Sequence, residues 1–173
     1  MPYKVIQPTD FTGKFAIAQS TTITPLLQKY ITDHEVSYLN KLLGKALADL
    51  YVADLTDGIP AVLRFQTIHE YFYQDDYEEK VKESFGIKDM LLGFIFYHFI
   101  AETQVKHTQS GVTKQQSEVS NHAAVIDAYA HAERRYNDSV ITYRNIQNYI
   151  KRNLDVYPEF KGIDIKARLS WLL

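Results

Sequence analysis

Residues 90 to 101, MLLGFIFYHFIA, show no polar face at any helical offset, and nothing else in the chain constrains its fold as tightly. Met90, Leu91, Leu92, Phe94, Ile95, Phe96, Tyr97, Phe99 and Ile100 point in every direction around a helix axis. A helix that is apolar all round must be buried all round. The run is about a dozen residues, whereas a membrane span needs roughly 20. Cover must therefore come from protein. The pattern, carried from Ile87 to about Gln109, predicts a central helix wrapped by the rest of the chain. Gly93 inside it predicts close approach by another helix, which offsets a propensity cost of about 1 kcal/mol.

Two further apolar patterns can supply the wrapping. Thr32-Asp-His-Glu35 reads as a capping box, with the threonine oxygen accepting the Glu35 N–H while the glutamate reaches back. Behind it, Val36, Leu39, Leu42, Leu43, Ala46, Leu47, Leu50 and Leu55 follow the i, i+3, i+4 spacing of a helix packed on one side. Asp57-Gly-Ile-Pro60 stops it. A short helix precedes the box, from about Thr24 to near Thr32, with Pro25 in the first turn, where its missing N–H costs nothing. The longest pattern starts at a Ser120 or Asn121 cap and runs through Val125, Tyr129, Ala132, Tyr136, Val140, Tyr143, Ile146, Gln147, Ile150 and Leu154. Such a helix is roughly 50 Å long, against a diameter near 40 Å for a globular chain of this size. Either Asn137 to Ser139 breaks it, or its end overhangs and another subunit covers it.

With 173 residues, 46% of them apolar, the chain suits one domain, 1–173, with a real core. The fold class predicted is mainly α: a small helical bundle around the central apolar helix. Residues 1–20 form an extended arm that needs a neighbour to order it, 24–109 the helical core, 108–120 a protruding segment, 121–154 the long helix and 155–173 the tail. The stretch from 61 to 85 is less decided. Val62 to Ile68 suits a short helix or strand, and Glu70 to Glu83, with six acids against two lysines, reads as a solvated loop or an electrostatic contact. Thr108 to Ser120, TQSGVTKQQSEVS, has no apolar face. The tail ends in IKARLSWLL, a short amphipathic element whose Trp171, Leu172 and Leu173 one subunit covers poorly.

Composition closes several function classes. A formal net charge of -2 argues against a generally basic nucleic-acid binder. The absence of cysteine removes disulfides, thiolate zinc sites and cysteine nucleophiles. The N-terminal residues lack the basic and apolar regions of a signal peptide. No phosphate-binding glycine motif or nucleophile elbow is present. His34 and His69 each begin a His-Glu pair, but neither has the second histidine of a zincin helix. His98 and Glu102 lie four apart on the central helix and could share a metal, yet two ligands do not make a site. We read them as a core-edge histidine hydrogen-bonded to its glutamate. From Arg144 onward bases outnumber acids six to three, and Lys151 and Arg152 could touch phosphate. The expectation is therefore no catalytic residue, no cofactor and no metal.

Taken together, YLNKLLGKAL (38–47), FGIKDMLLGFIFYHFIAE (85–102), TQSGVTKQQSEVS (108–120) and RYNDSVITYRNIQNYI (135–150) resemble the head-to-tail connector, or adaptor, proteins of tailed bacteriophages, and most closely the portal-proximal ring proteins of crAss-like gut phages. The resemblance covers about residues 24 to 160. It implies a virion structural protein at the head–tail junction, made in the bacterial host cytoplasm. It also implies assembly into a homo-oligomeric ring, typically of twelve subunits, that docks below the portal, meets other connector or tail proteins and passes DNA through its bore without a membrane. In such connectors the segment between the two longest helices extends as a loop or β-hairpin to a neighbour. Gly111, Val112, Thr113, Lys114, Gln115 and Gln116, with Trp171, Leu172 and Leu173, are then the expected partner-binding residues, and Lys151 and Arg152 the DNA-facing ones. The rival reading is a small helical DNA-binding or regulatory protein using the basic C-terminal third.

Overall fold

A computed structural model of the chain describes residues 5–75, 81–103, 105–108, 111–114 and 122–168. It is mainly α. Among the described residues five α-helices appear: α1 (Ile23–Leu43), α2 (Lys45–Ala53), α3 (Leu63–His69), α4 (Gly86–Thr103) and α5 (His122–Arg152). Three two-stranded antiparallel hairpins connect them: β1 (Leu55–Thr56) with β2 (Ile59–Pro60), β3 (Phe72–Asp75) with β4 (Val81–Ser84), and β5 (Val105–Thr108) with β6 (Gly111–Lys114).

The apolar run behaves as its pattern requires. From Ile87 to Phe99, α4 is buried at every position except Lys88, Asp89 and His98. It ends at Thr103, short of Gln109, because the chain turns there into β5. Along one side lies α5, with Ala132, Tyr136, Val140, Tyr143, Ile146 and Ile150 buried against the core. The closest approach is at Gly93, where an added Cβ would stand 2.0 Å from Ser139 Oγ and 2.9 Å from the Arg135 carbonyl oxygen. Asn137 to Ser139 does not break α5, since Ser139 is buried at that crossing and belongs to the helix. At 31 residues, α5 is about 46 Å long.

The N-terminal third corrects several expectations. No helix starts at Thr32: α1 runs straight through it, and the Thr32 hydroxyl donates back to the Gln28 carbonyl at 3.0 Å, as a mid-helix threonine does. The Glu35 carboxylate is instead buried and accepts the backbone N–H groups of Val5 and Ile6 at 2.6 and 3.1 Å. The real break comes at Gly44, whose φ of 82° suits glycine and whose Cβ would lie 2.8 Å from the Lys161 backbone. Nor does the arm wait for a neighbour. It folds through two 3-10 turns, Pro8–Asp10 and Gly13–Phe15, and buries Val5, Ile6, Phe11, Phe15 and Ile17 in the chain's own core. Ion pairs Lys88–Asp10 (2.7 Å) and Lys14–Asp89 (2.8 Å) pin it to the start of α4.

Residues 61–85, expected as a short element followed by a solvated loop, hold α3 and the β3–β4 hairpin. Phe72 packs on Tyr149 of α5 with ring centroids 4.9 Å apart, and Asn145 donates to the Glu83 carbonyl at 2.6 Å. Residues 76–80, part of the acidic stretch, lie outside the described residues. Arg144, where the basic third begins, is paired within the chain to Asp164 at 3.1 Å. The tail shows no amphipathic helix as far as it is described. Residues 160–168 run without regular structure along the end of α1, with Lys161 N donating to Leu43 O (3.1 Å) and Ile163 N to Lys41 O (2.8 Å). Buried Gln147 donates to both Leu42 O and Ile163 O at 3.0 Å, which joins α5, α1 and the tail. Residues 169–173, most of the expected amphipathic element, lie outside the described residues.

Candidate functional site

Because α1 is continuous through Thr32, Tyr30, His34 and Tyr38 fall on one row at i, i+4, i+8. On α4 the same spacing aligns Phe94, His98 and Glu102. The two rows meet as a ladder. Tyr38 stacks on Phe94 with centroids 4.3 Å apart, and His34 stacks on His98 at 4.1 Å with planes 10° apart. Tyr30 meets Phe99 edge-on at 5.6 Å and lies beside Glu102. A seam of rings suits two antiparallel helices, since each ring offers apolar area and keeps one polar edge.

The polar edges are organised. Tyr38 Oη and His98 Nε2 are 2.8 Å apart and hydrogen-bonded. On the other side of the same ring, His98 Nδ1 faces Glu102 Oε1 at 3.9 Å, too far for a hydrogen bond. The expected His98–Glu102 hydrogen bond is therefore not made, and His98 uses Tyr38 instead. Burial pushes the His98 imidazolium down to about 4, helped by the neighbouring His34, Arg168 and Lys41. Burial lowers His34 too, against the pull of Glu102 and Asp33. Burial, and then a hydrogen bond to the Glu102 carboxylate, push the Tyr30 phenol up to about 12. Both imidazoles are thus neutral near pH 7 and available as donors of lone pairs. His34, His98 and Glu102 each present one ligand atom, all within 4.8 Å of one another. The Glu102 side chain is 57% exposed and that of His98 18%, so the cluster opens to solvent at its carboxylate end.

Spacing alone exposed His98 and Glu102, which are neighbours on one helix. His34 escaped because it lies on another helix, and because reading a helix start at Thr32 hid its row. The signal was present: Tyr30, His34 and Tyr38 are four apart, and a helix uninterrupted from Thr24 would have shown an aromatic–histidine stripe.

The residues expected to bind partners are placed differently. Gly111 to Lys114 form β6, paired with β5 in the register Val105↔Lys114 to Thr108↔Gly111. The excursion between α4 and α5 is thus a hairpin at this point, but it does not join the two longest helices as expected, because α1, at 21 residues, is longer than α4 at 18. Gln115, Gln116, Trp171, Leu172 and Leu173 lie outside the described residues. Lys151 and Arg152 occupy the exposed last turn of α5, where basic side chains also complement the helix dipole. A pocket of about 640 Å³ lies on the α5 surface, bounded by the arm, the end of β4 and the start of α4, with Lys14, Glu83, Asp89, Arg135, Asp138 and Thr142 in its lining. Lys14 is paired with Asp89 at 2.8 Å and Arg135 with Asp138 at 3.2 Å. Among the described residues no helix is long and apolar enough to cross a membrane.

A family of unknown function, DUF6712, matches residues 73–166, which is more than half of the chain, and the chain belongs to that family. The match takes in β4, α4, the β5–β6 hairpin and α5. No curated protein and no solved structure matches the chain.

Proposed function

We propose that this DUF6712 member is a structural protein of a tailed-phage virion, one subunit of a ring in the head-to-tail connector. The ring docks below the portal, meets other connector or tail proteins and lets DNA pass through its bore. It works by shape and repeated contact rather than by catalysis. One observation carries the reading: the polar segment between α4 and α5 holds a β-hairpin, the element with which connectors of this kind reach a neighbour. A short two-stranded hairpin has unpaired backbone groups on both outer edges, and a strand from another subunit can complete them. Exposed apolar side chains at the α2–α3 corner, Ile59, Val62 and Leu63, add surface that a ring contact can cover. A closed ring satisfies such surfaces with one repeated heterologous contact. Contact with the passing DNA is non-specific and falls to exposed bases such as Lys151.

Native mass spectrometry of the full chain, alone and co-expressed with the portal protein of the same virus, tests this. Closed rings of about twelve subunits are expected, with or without the portal. Removal of residues 105–114 with a short glycine linker should leave the helical content intact and abolish assembly. A chain that stays monomeric in the presence of portal, or rings unaffected by the deletion, would overturn the proposal. Salt-sensitive binding of duplex DNA by the monomer would favour the regulatory reading instead.

A further inference from the structure

We propose that His34, His98 and Glu102 form a binding site for one divalent transition-metal ion of the zinc class, which ties α1 to α4. The inference does not depend on the connector reading, because it rests on the ladder alone. Two imidazoles and a carboxylate are the donor set that borderline ions such as Zn(II), Co(II) and Ni(II) prefer, and three protein ligands leave one tetrahedral position for water.

The spacing has a direct reading. Two donors bound at about 2.0–2.2 Å in a tetrahedral site are separated by about 3.4 Å. The 3.9 Å between His98 Nδ1 and Glu102 Oε1 is within about half an ångström of that spacing, yet too long for the hydrogen bond that two such neighbours would otherwise make. An ion fills that gap. The Tyr38 hydroxyl and His98 Nε2, 2.8 Å apart, fix the ring so that Nδ1 faces the carboxylate; in the tautomer whose Nε2–H donates to Tyr38, Nδ1 carries the free lone pair. A partner on the far nitrogen is how ligating histidines are held in place and in tautomer. His34 completes the set from α1. It lies flat on His98, so loading requires its ring to turn, and among the described residues no hydrogen bond opposes that. All three donor atoms already lie within 4.8 Å of one another, and loading draws them together to tetrahedral spacing.

Electrostatics sets the strength. Lys41, over the Tyr38 ring at 5.2 Å, and Arg168, over Tyr97 at 4.7 Å, oppose a cation, while Glu102 and Asp33 attract one. The balance suits a reversible site of moderate affinity.

The test uses the purified full chain stripped with chelator. Co(II) is titrated and followed by visible absorption, and Zn(II) by calorimetry and by thermal melting. One ion per chain is expected, with a ligand-field spectrum and a higher Tm in Zn(II). Glu102→Gln, at an exposed position, and His34→Gln should each weaken Co(II) binding at least tenfold, and Tyr38→Phe severalfold. Circular dichroism confirms the fold of each variant, and Glu102→Gln decides alone if His34→Gln fails to fold. Absence of stoichiometric binding to the wild type, or the same affinity and spectrum in Glu102→Gln, overturns the proposal.

Discussion

One helix, α4, is packed on two sides by seams of opposite chemistry. Toward α5 it presents Gly93 and Tyr97, and the two backbones come close enough that a single Cβ would overlap Ser139. Toward α1 it presents Phe94, His98 and Glu102 and meets a row of rings with polar edges. The first seam is close-packed and intolerant of volume. The second holds titratable groups that have two choices of partner. Close packing leaves no room for chemistry, so it sets geometry, while an aromatic–histidine seam leaves lone pairs to be used. Both are made from the same eighteen-residue helix.

The largest effect should come from filling the close-packed seam. Gly93→Val places carbon where Ser139 Oγ and the Arg135 carbonyl already stand. It is expected to cost about 3 kcal/mol or more. Urea unfolding would show it as a lower midpoint at similar slope. If Gly93→Val costs no more than Tyr38→Phe, the two seams do not differ as described. Next is Glu35→Ala, on the neighbouring side of α1. It leaves the Val5 and Ile6 N–H groups buried without their acceptor, at about 2 kcal/mol. Limited proteolysis should cut within residues 5–20 sooner than in the wild type, and equal rates would mean that apolar burial alone holds the arm. Tyr38→Phe removes one hydrogen bond from the ladder and keeps the ring stack. A loss of about 1 kcal/mol is expected, with the helical content unchanged.

The smallest effect is a proton effect away from both seams. His69, at the end of α3, is buried, its Nδ1 lies 2.7 Å from the Tyr51 hydroxyl, and burial lowers its basicity, with Glu70 opposing and Lys88 assisting. A base whose pKa is depressed on folding binds its proton more readily when unfolded. Its stabilising contribution is therefore complete above about pH 6.5 and is lost as the pH falls below that value. The slope from one such group stays below about 1.4 kcal/mol per pH unit. Thermal melts from pH 7.5 to 5 should fall less steeply for His69→Gln than for the wild type, and identical slopes would remove His69 from the account.

Legibility in the sequence followed the range of the interactions. Both long helices could be read because their signals are periodic and local: α4 from its apolar run, α5 from a stripe whose Ala132, Tyr136, Val140, Tyr143 and Ile146 are buried as spaced. Gly93 was legible as a close approach, but Ser139 as its partner was not, and Asn137 to Ser139 looked like a break. The capping box at Thr32 misled because its glutamate had a better use. Two backbone N–H groups thirty residues away in the chain compete for that carboxylate, and no local pattern announces them. Arm and tail failed for the same reason, since both are held by backbone bonds to distant helices rather than by a period of their own.

The sequence by itself determined that this chain is mainly α, that the apolar run from Met90 to Ala101 lies at its centre and that a polar excursion precedes its longest helix. Those follow from apolar periodicity and from its absence, which any folded state must satisfy. Only the tertiary structure decided that His34 of α1 stacks on His98 of α4 while Glu102 stands 3.9 Å from the same ring. Helical spacing sets which residues share a face of one helix. Which face meets which depends on where the other helices cross, and here Gly93 lets α5 cross α4 where a side chain could not fit.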